Sequence, residues 1–126
     1  MIELIFDGIL RGASGVVSLA TGGIHPVELP KDATFPAIHY LFVGGSSQGT
    51  QDTYGTQRYR VEVNCWAGSY NDVVTLRHAV IAALSQYSAN GVFIRFLQPT
   101  DFFDHDLLEF RAMAEFYVTS NFTPTS

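Results

Sequence analysis

The sequence contains one cysteine, Cys65, and one lysine, Lys31. A single thiol excludes an intrachain disulfide and a zinc site built from cysteines. Because Cys65 falls on the apolar side of an alternating stretch, we interpret it as a buried structural thiol rather than a nucleophile. The seven basic residues are scattered, and the net charge is −5. Tight wrapping of nucleic acid needs clustered cations and is not expected, but DNA that only slides past a negative surface is compatible with this charge.

Charged residues make up only 15% of the chain, against about a quarter in typical soluble domains. Two explanations fit this deficit. Other subunits could cover part of the surface, or the surface could be polar through Ser, Thr, Asn and Gln, which the chain also has in quantity.

The sequence lacks an apolar run of about 18 residues and a basic N-terminal head, so neither a membrane span nor a signal peptide is expected. By default this predicts a cytoplasmic protein. The length of 126 residues suits one domain, and no internal repeat or domain boundary is visible. We therefore expect residues 1–126 to form a single domain with a frayed polar tail at 121–126.

No catalytic motif is present: the chain has neither a Gly-x-Ser-x-Gly elbow nor a Gly-Lys-Ser/Thr phosphate loop. The strongest candidate for chemistry is the cluster of Asp101, Asp104, His105 and Asp106, whose oxygen and nitrogen donors suit a divalent ion. Its spacing matches no calcium loop, and Asp is common in hairpin turns for backbone reasons. A solvated turn is therefore the favoured interpretation, and we predict no catalytic, cofactor or metal site.

What the sequence does contain is a strand followed by a helix, over residues 58–87. The strand alternates with period two. One side carries Tyr59, Val61, Val63 and Cys65, and the other carries Arg58, Arg60, Glu62 and Asn64. The spacing then changes to that of one helix face, through Val73, Leu76, Val80, Leu84 and Tyr87. A capping box of Ser69 with Asp72 predicts the start of the helix, and Asn90-Gly91 predicts its stop.

Similar patterns predict the remaining elements. A first helix is expected over residues 2–10, a loop or marginal turn over 16–23, and a short edge strand over 24–29. Further strands are expected over 37–43, 92–97 and 107–119, with a connection containing Pro99 over 98–106. The strand over 37–43 is apolar on both phases except for His39, which indicates cover on both faces. The predicted fold is α+β: a mostly antiparallel sheet of four to five strands packed with two helices, in the order α-β-β-β-α-β-β.

Residues 44–56 form a polar, glycine-rich segment that is long for a hairpin connection. Either the flanking strands extend past the core as a ribbon, or the segment is a loop that becomes ordered on a partner.

The layout resembles the small tail-completion or tail-terminator proteins of long-tailed bacteriophages and prophages. The resemblance rests on a proline before a strand, a Val-x-Val-x-x-Trp strand and a Leu-x-x-Ala-Val-x-x-Ala-Leu helix. In this sequence these are Pro36, the strand from Val61 to Trp66 and the helix from Leu76 to Leu84. The resemblance covers roughly residues 2–119, and its motifs are structural.

The resemblance implies a virion protein without enzymatic activity. It would form a ring, usually a hexamer, that ends the tail tube, contacts the tail tube protein and joins the head-completion or connector protein. DNA would pass through the lumen without sequence-specific binding, and assembly would take place in the host cytoplasm. The expected contact surfaces are the 44–56 segment and the outer face of the 58–66 strand. The candidate interface residues are Gln48, Gln51, Asp52, Tyr54, Arg58, Arg60 and Glu62.

Two other classes of function stay open on sequence alone. One is a small α+β ligand-binding or regulatory domain, expected to be a dimer. The other is a hydrolase or metal-dependent enzyme that uses Asp104 and His105.

Overall fold

A computed structural model describes residues 2–47, 56–85, 87–89, 91–104 and 109–121. The helices are α1 (Ile2–Arg11), α2 (Ser14–Val17) and α3 (Tyr70–Leu84). The strands are β1 (Ile24–Pro26), β2 (Ala37–Ser47), β3 (Thr56–Ala67), β4 (Ser88–Ala89), β5 (Val92–Asp104) and β6 (Glu109–Asn121). The described part of the chain therefore has three helices and six strands, where the sequence patterns predicted two helices and four to five strands.

The strands form one sheet in the order β1-β2-β3-β6-β5-β4. All neighbours are antiparallel except β1, which runs parallel to β2 at the sheet edge. The predicted α+β class and the edge position of the first strand are confirmed. The additional parallel pair makes the sheet mixed.

The inward face of the sheet and the helices share one apolar core. Alternation places Val61, Val63 and Cys65 of β3 in it, fully buried. The neighbouring β6 contributes Ala112, Ala114, Phe116 and Val118, as its sequence alternation predicts. The helices cover this face with Ile2, Phe6, Leu10, Val16, Val73, Leu76, Val80 and Leu84. The opposite face of the sheet carries the polar phase of the same strands.

The predicted start of α3 is confirmed. The Ser69 side chain accepts a hydrogen bond from the Asp72 backbone N–H at 3.1 Å, which satisfies one of the free donors of the first turn. The predicted stop is wrong, because the helix ends at Leu84 and Ser85 is extended. Gly91 instead has φ +78° and follows the short β4 strand, where the chain turns back into β5.

The connection predicted over residues 98–106 is also wrong, because β5 continues to Asp104. An extra residue between Phe96 and Gln98 forms a bulge, after which Pro99 and Asp101 pair with the inward-facing Ala114 and Ala112. The bulge therefore changes the phase of the alternation without ending the strand.

A polar network fixes α1 on β1 and β2. Asp7 accepts hydrogen bonds from Arg11 at 2.6 Å and from the Tyr40 hydroxyl at 2.5 Å. Arg11 also donates to the Ile24 carbonyl oxygen at 2.6 Å. Burial, reinforced by the Asp7 carboxylate, raises the pKa of Tyr40, so the hydroxyl stays a donor.

Strands β2 and β3 stay paired up to residues 47 and 57, and β3 also pairs with β6 at this end of the sheet. Ser46 pairs with Arg58 and Ser47 with Gln57. Both described ends of the 44–56 segment therefore belong to the sheet, and the choice between a ribbon and a loop falls on residues 48–55, which lie outside the described part. The double cover predicted for 37–43 holds at Ala37 and Ile38, which are fully buried, and fails at Val43, which is 38% exposed.

Candidate subunit interface

The outer face of the sheet displays side chains from its four long strands, β2, β3, β6 and β5. The register places His39 opposite Asn64, Glu62 opposite Glu115, and Arg95 opposite Tyr117. Because the helices pack on the other face, this surface is where a flat neighbour can approach. It divides into three parts along the strands.

At one end, a hydrogen-bonded group joins β2, β3 and β6. The Trp66 indole N–H donates to His39 Nδ1 at 2.9 Å, and Arg111 donates to the Asn64 side-chain oxygen at 3.3 Å. The Arg111 guanidinium also lies 5.5 Å from the centre of the Trp66 ring. Burial, with the nearby Arg111 and His25, lowers the pKa of His39 from 6.5 to about 4, so the ring is neutral at pH 7 and accepts the indole proton.

In the middle, Glu115 is the centre of an ion pair. Its side chain is 7% exposed and lies 2.6 Å from the guanidinium of Arg60, while Gln98 donates to its other oxygen at 2.9 Å. Both carboxylate oxygens are therefore occupied within one molecule. Arg60, with half of its side chain exposed, still offers the rest of its guanidinium to solvent.

At the other end, two guanidinium groups flank one aromatic ring. Arg58 lies 4.7 Å and Arg95 lies 5.7 Å from the centre of the Tyr117 ring. Phe93, 45% exposed, borders the same shallow depression, which has a volume of about 220 Å³. Within the described ranges, no carboxylate lies within ion-pair distance of Arg58 or Arg95. This end therefore offers positive charge that the described residues do not neutralise.

The sequence places the chain in a family of phage tail proteins. The profile of the family "Tail completion protein gp17" matches residues 8–119, which is most of the chain. The chain belongs to this family. A phage tail completion protein is a structural component of the virion and not an enzyme, as the sequence resemblance implied.

A solved structure supports the fold of this tail completion protein. A chain from the "Virion of native gene transfer agent (GTA) particle" superimposes with a TM-score of 0.66. The similarity covers 92% of this chain and 91% of that chain, at 13% sequence identity. No curated protein matches the sequence. The identity is low, so the structural likeness shows the shared fold alone.

The structure locates some of the predicted interface residues of this tail completion protein. Arg58, Arg60 and Glu62 all lie on the outer face of β3, as the alternation predicted. Glu62 is half-buried, and Arg60 already pairs with Glu115. The candidates Gln48, Gln51, Asp52 and Tyr54 lie outside the described residues.

The acidic cluster is only partly within the described residues. Asp101 forms an ion pair with Arg77 and accepts a hydrogen bond from the Tyr70 hydroxyl at 3.1 Å, so its charge is compensated by a cation of α3. The Asp104 side chain, His105 and Asp106 fall outside the described part. Among the described residues, no group of three or more His, Cys, Asp or Glu side chains is placed to hold a metal ion.

Cys65 is fully buried, and burial raises the pKa of its thiol to about 12, as expected for an inert structural residue. None of the described helices is both long and apolar enough to cross a membrane.

Sequence reasoning missed Phe93 and Arg95. The signal was present, because Val92, Ile94 and Phe96 alternate with them and are apolar. The alternation alone assigns Phe93 and Arg95 to the outer face of β5.

Proposed function

We propose that this tail completion protein forms a homo-oligomeric ring, a hexamer, at the end of the phage tail tube. In this proposal residues 1–126 act as one domain, and the ring terminates the tail and joins it to the head-completion or connector protein. DNA passes through the lumen without sequence-specific contacts. The ring assembles in the host cytoplasm and becomes part of the neck of the virion.

The family match over residues 8–119 carries this proposal. Three features of the molecule support it. A closed ring needs two unlike surfaces on each subunit, and the two edges of the sheet differ, one ending in the short parallel β1 and the other in the hairpin strand β4. Strand β2 extends beyond the part of the sheet that β1 covers, toward the segment that we expect to reach a neighbour. The net charge of −5 disfavours adhesion to DNA in transit.

The 44–56 segment and the outer face of β3 are the proposed contact surfaces, through Gln48, Gln51, Asp52, Tyr54, Arg58, Arg60 and Glu62. The two surfaces are continuous, because Ser46 and Ser47 pair with the start of β3.

A deletion and a length-preserving variant test this. Deleting residues 46–53 should abolish rings in electron micrographs of the purified protein and leave tails unjoined to heads in an assembly extract. Replacing Gln48, Gln51, Asp52 and Tyr54 by serine keeps the chain length and tests the side chains alone. Normal rings and normal head–tail joining in the deletion variant would remove the segment from the proposed interface.

A further inference from the structure

The β1 edge of the sheet contains an apolar pocket. Strand β1 pairs only with residues 38–40 of β2, and the chain then turns away at Val27. The Val27 N–H donates to the Tyr40 carbonyl oxygen at 2.7 Å, which fixes the turn. A pocket of about 360 Å³ opens beside it. Its lining is formed by Glu3, Pro26, Val27, Tyr40, Leu41 and Phe42.

The residues that line this pocket are better suited to contact with a partner than to exposure to solvent. Val27 has φ +71°, a conformation that is rare for a β-branched residue, and its side chain is 64% exposed. The Tyr40 hydroxyl is already bound to Asp7. The free polar group of the lining is thus the exposed carboxylate of Glu3. An apolar pocket with one carboxylate at its margin suits an apolar side chain that is accompanied by a cation.

The opposite edge of the molecule presents that combination. Phe93 protrudes from β5 with 45% of its surface exposed, and Arg95 lies two residues further on the same face. Arg58 lies over the same Tyr117 ring, 4.7 Å from its centre, and adds a second positive charge. A guanidinium that stacks on an aromatic ring keeps its N–H edge available for a carboxylate.

We propose that Phe93 of one copy inserts into the Glu3–Val27 pocket of a second copy, where Glu3 pairs with Arg95. The inference rests on the ring proposed above and identifies one of its contacts. Strands β3 and β6 separate β2 from β5, so the two patches are about 14 Å apart across the sheet. Because they lie toward opposite edges, each copy uses one patch for each neighbour, and the contact repeats head to tail.

Charge complementarity supports a second copy as the occupant. Exposed Glu28 and Asp32 follow Val27, with Lys31 as the one cation of this stretch, so residues 27–32 carry a net negative charge. The β5 edge carries two arginines that have no carboxylate partner among the described residues. A nucleic-acid phosphate would satisfy the arginines but would leave both the exposed Phe93 and the apolar pocket without a role.

Reversing the charges tests the contact. Glu3→Arg and Arg95→Glu should each lose the ring in native mass spectrometry, with at least a tenfold lower ring fraction at equal protein concentration. An equal mixture of the two variants should recover it. In the mixture, Arg95 of the first variant meets Glu3 of the second, and the introduced Glu at position 95 meets the introduced Arg at position 3. Asp72→Arg, which reverses an exposed carboxylate on α3, should assemble like the wild type.

Phe93→Ala provides a second variant whose fold should survive, because the side chain is exposed. At a protein concentration too low for the wild type to assemble, it should unfold at the wild-type urea concentration, and at higher concentrations it should still lose the ring. If Glu3→Arg, Arg95→Glu and Phe93→Ala all form wild-type rings, this contact is wrong and the ring proposal stands. A wild-type protein that never forms rings, alone or on tail tubes, overturns both. Loss of duplex DNA retention by Arg95→Glu, with rings unchanged, would assign the arginines to phosphate and overturn the contact.

Discussion

At the scale of single residues, Gly22 shows how tightly the chain is packed before β1. Its N–H donates to the Pro36 carbonyl oxygen at 2.7 Å, and a Cβ at this position would lie 1.8 Å from the Thr34 carbonyl oxygen. The obstacle is backbone, so no rotamer change can relieve it. Gly8 on α1 is the opposite case, because a Cβ there would meet no atom within 4 Å other than its chain neighbours and the backbone of its own helix.

Gly22→Ala should therefore lower the free energy of unfolding by about 2 kcal/mol or more, since the backbone around residues 34–36 must shift. Gly8→Ala is the matched control and should raise it by about 0.5–1 kcal/mol, because alanine is the better helix former and restricts the unfolded chain. Urea unfolding followed by circular dichroism measures both. Equal stabilities of Gly22→Ala and the wild type would contradict the packing described here.

His39 makes stability depend on pH. Its pKa of about 4 lies below the ordinary 6.5. Between these two pH values the His39 ring is protonated in the unfolded chain and neutral in the folded protein. Above about pH 6.5 both states are neutral at this residue, and its contribution does not change with pH. Stability should fall as the pH drops from 6.5 to 4, and the loss from this group should be complete below pH 4.

Because the imidazole is partly exposed, we expect this loss to be about 1–2 kcal/mol rather than the full value of the shift. His39→Asn keeps an acceptor near the Trp66 indole and removes the titration. The difference in unfolding free energy between wild type and variant should therefore change by that amount between pH 7 and pH 4. A difference that is constant with pH would show that His39 titrates normally in the folded protein.

At the scale of elements, α3 depends on its first turn. The helix begins directly after β3, and only Gly68 and Ser69 separate Ala67 from Tyr70. The Ser69 side chain is the acceptor that makes this abrupt start possible, because the first backbone N–H groups of a helix have no partner within the helix.

Ser69→Ala should cost about 1 kcal/mol of unfolding free energy, the usual value for losing a helix cap. Ser69→Asp retains an acceptor and adds a favourable charge at the helix start, so it should stay within a few tenths of a kcal/mol of the wild type. Chemical denaturation compares the three proteins. A stable Ser69→Ala variant would mean that neighbouring groups or water satisfy the Asp72 N–H.

Local patterns predicted the elements whose periodicity is uninterrupted. The alternation of β3 and β6 gave both faces correctly, and the helical spacing of α1 gave its length to within a residue. The end of β5 failed for a physical reason. The bulge after Phe96 shifts the phase of the alternation. Pro99 follows soon after, and a proline in a strand pattern is usually read as the end of the strand. Similarly, Asn90-Gly91 has turn chemistry that suits a helix end and a hairpin equally well.

The candidate interface also combines features that local sequence patterns predict with features that they do not. The outer positions of Arg58, Arg60 and Glu62 follow from period two alone. The internal pairing of Arg60 with Glu115 depends on which strands are neighbours, which no local pattern contains. The Glu3–Val27 pocket combines one end of α1, one end of β1 and the middle of β2, so it exists only after the chain has folded.

At the scale of the whole molecule, the outer sheet face is less apolar than the strand over 37–43 implied. Its charged and aromatic side chains largely satisfy one another through the Glu115 ion pair and the His39–Trp66 hydrogen bond. The exposed large apolar side chains of the described residues belong to the helices, to the segments that follow them, and to the strands away from Glu115. They are Leu4, Ile5, Val17, Leu19, Val27, Val43, Tyr70, Phe93 and Phe103. Assembly is thus expected to use surfaces other than the centre of the outer face.

Ring assembly should make thermal stability depend on protein concentration. Only the folded chain can enter the ring, so a higher protein concentration favours the folded, assembled state by mass action. Between about 1 and about 100 µM, the unfolding midpoint of the wild type should rise by roughly a few degrees. The midpoint of Arg95→Glu should not change. Differential scanning calorimetry over this concentration range measures both midpoints. A wild-type midpoint that does not change with concentration would argue against assembly of the folded chain.

The burial of Cys65 has a practical consequence for following such assembly. The only native sulfhydryl lies in the core with a pKa of about 12, so maleimide reagents at neutral pH have no intrinsic target on the folded protein. A cysteine introduced at the exposed Asp72 would then be the single labelled position. Energy transfer between dyes attached there can report subunit arrangement without first removing a native thiol.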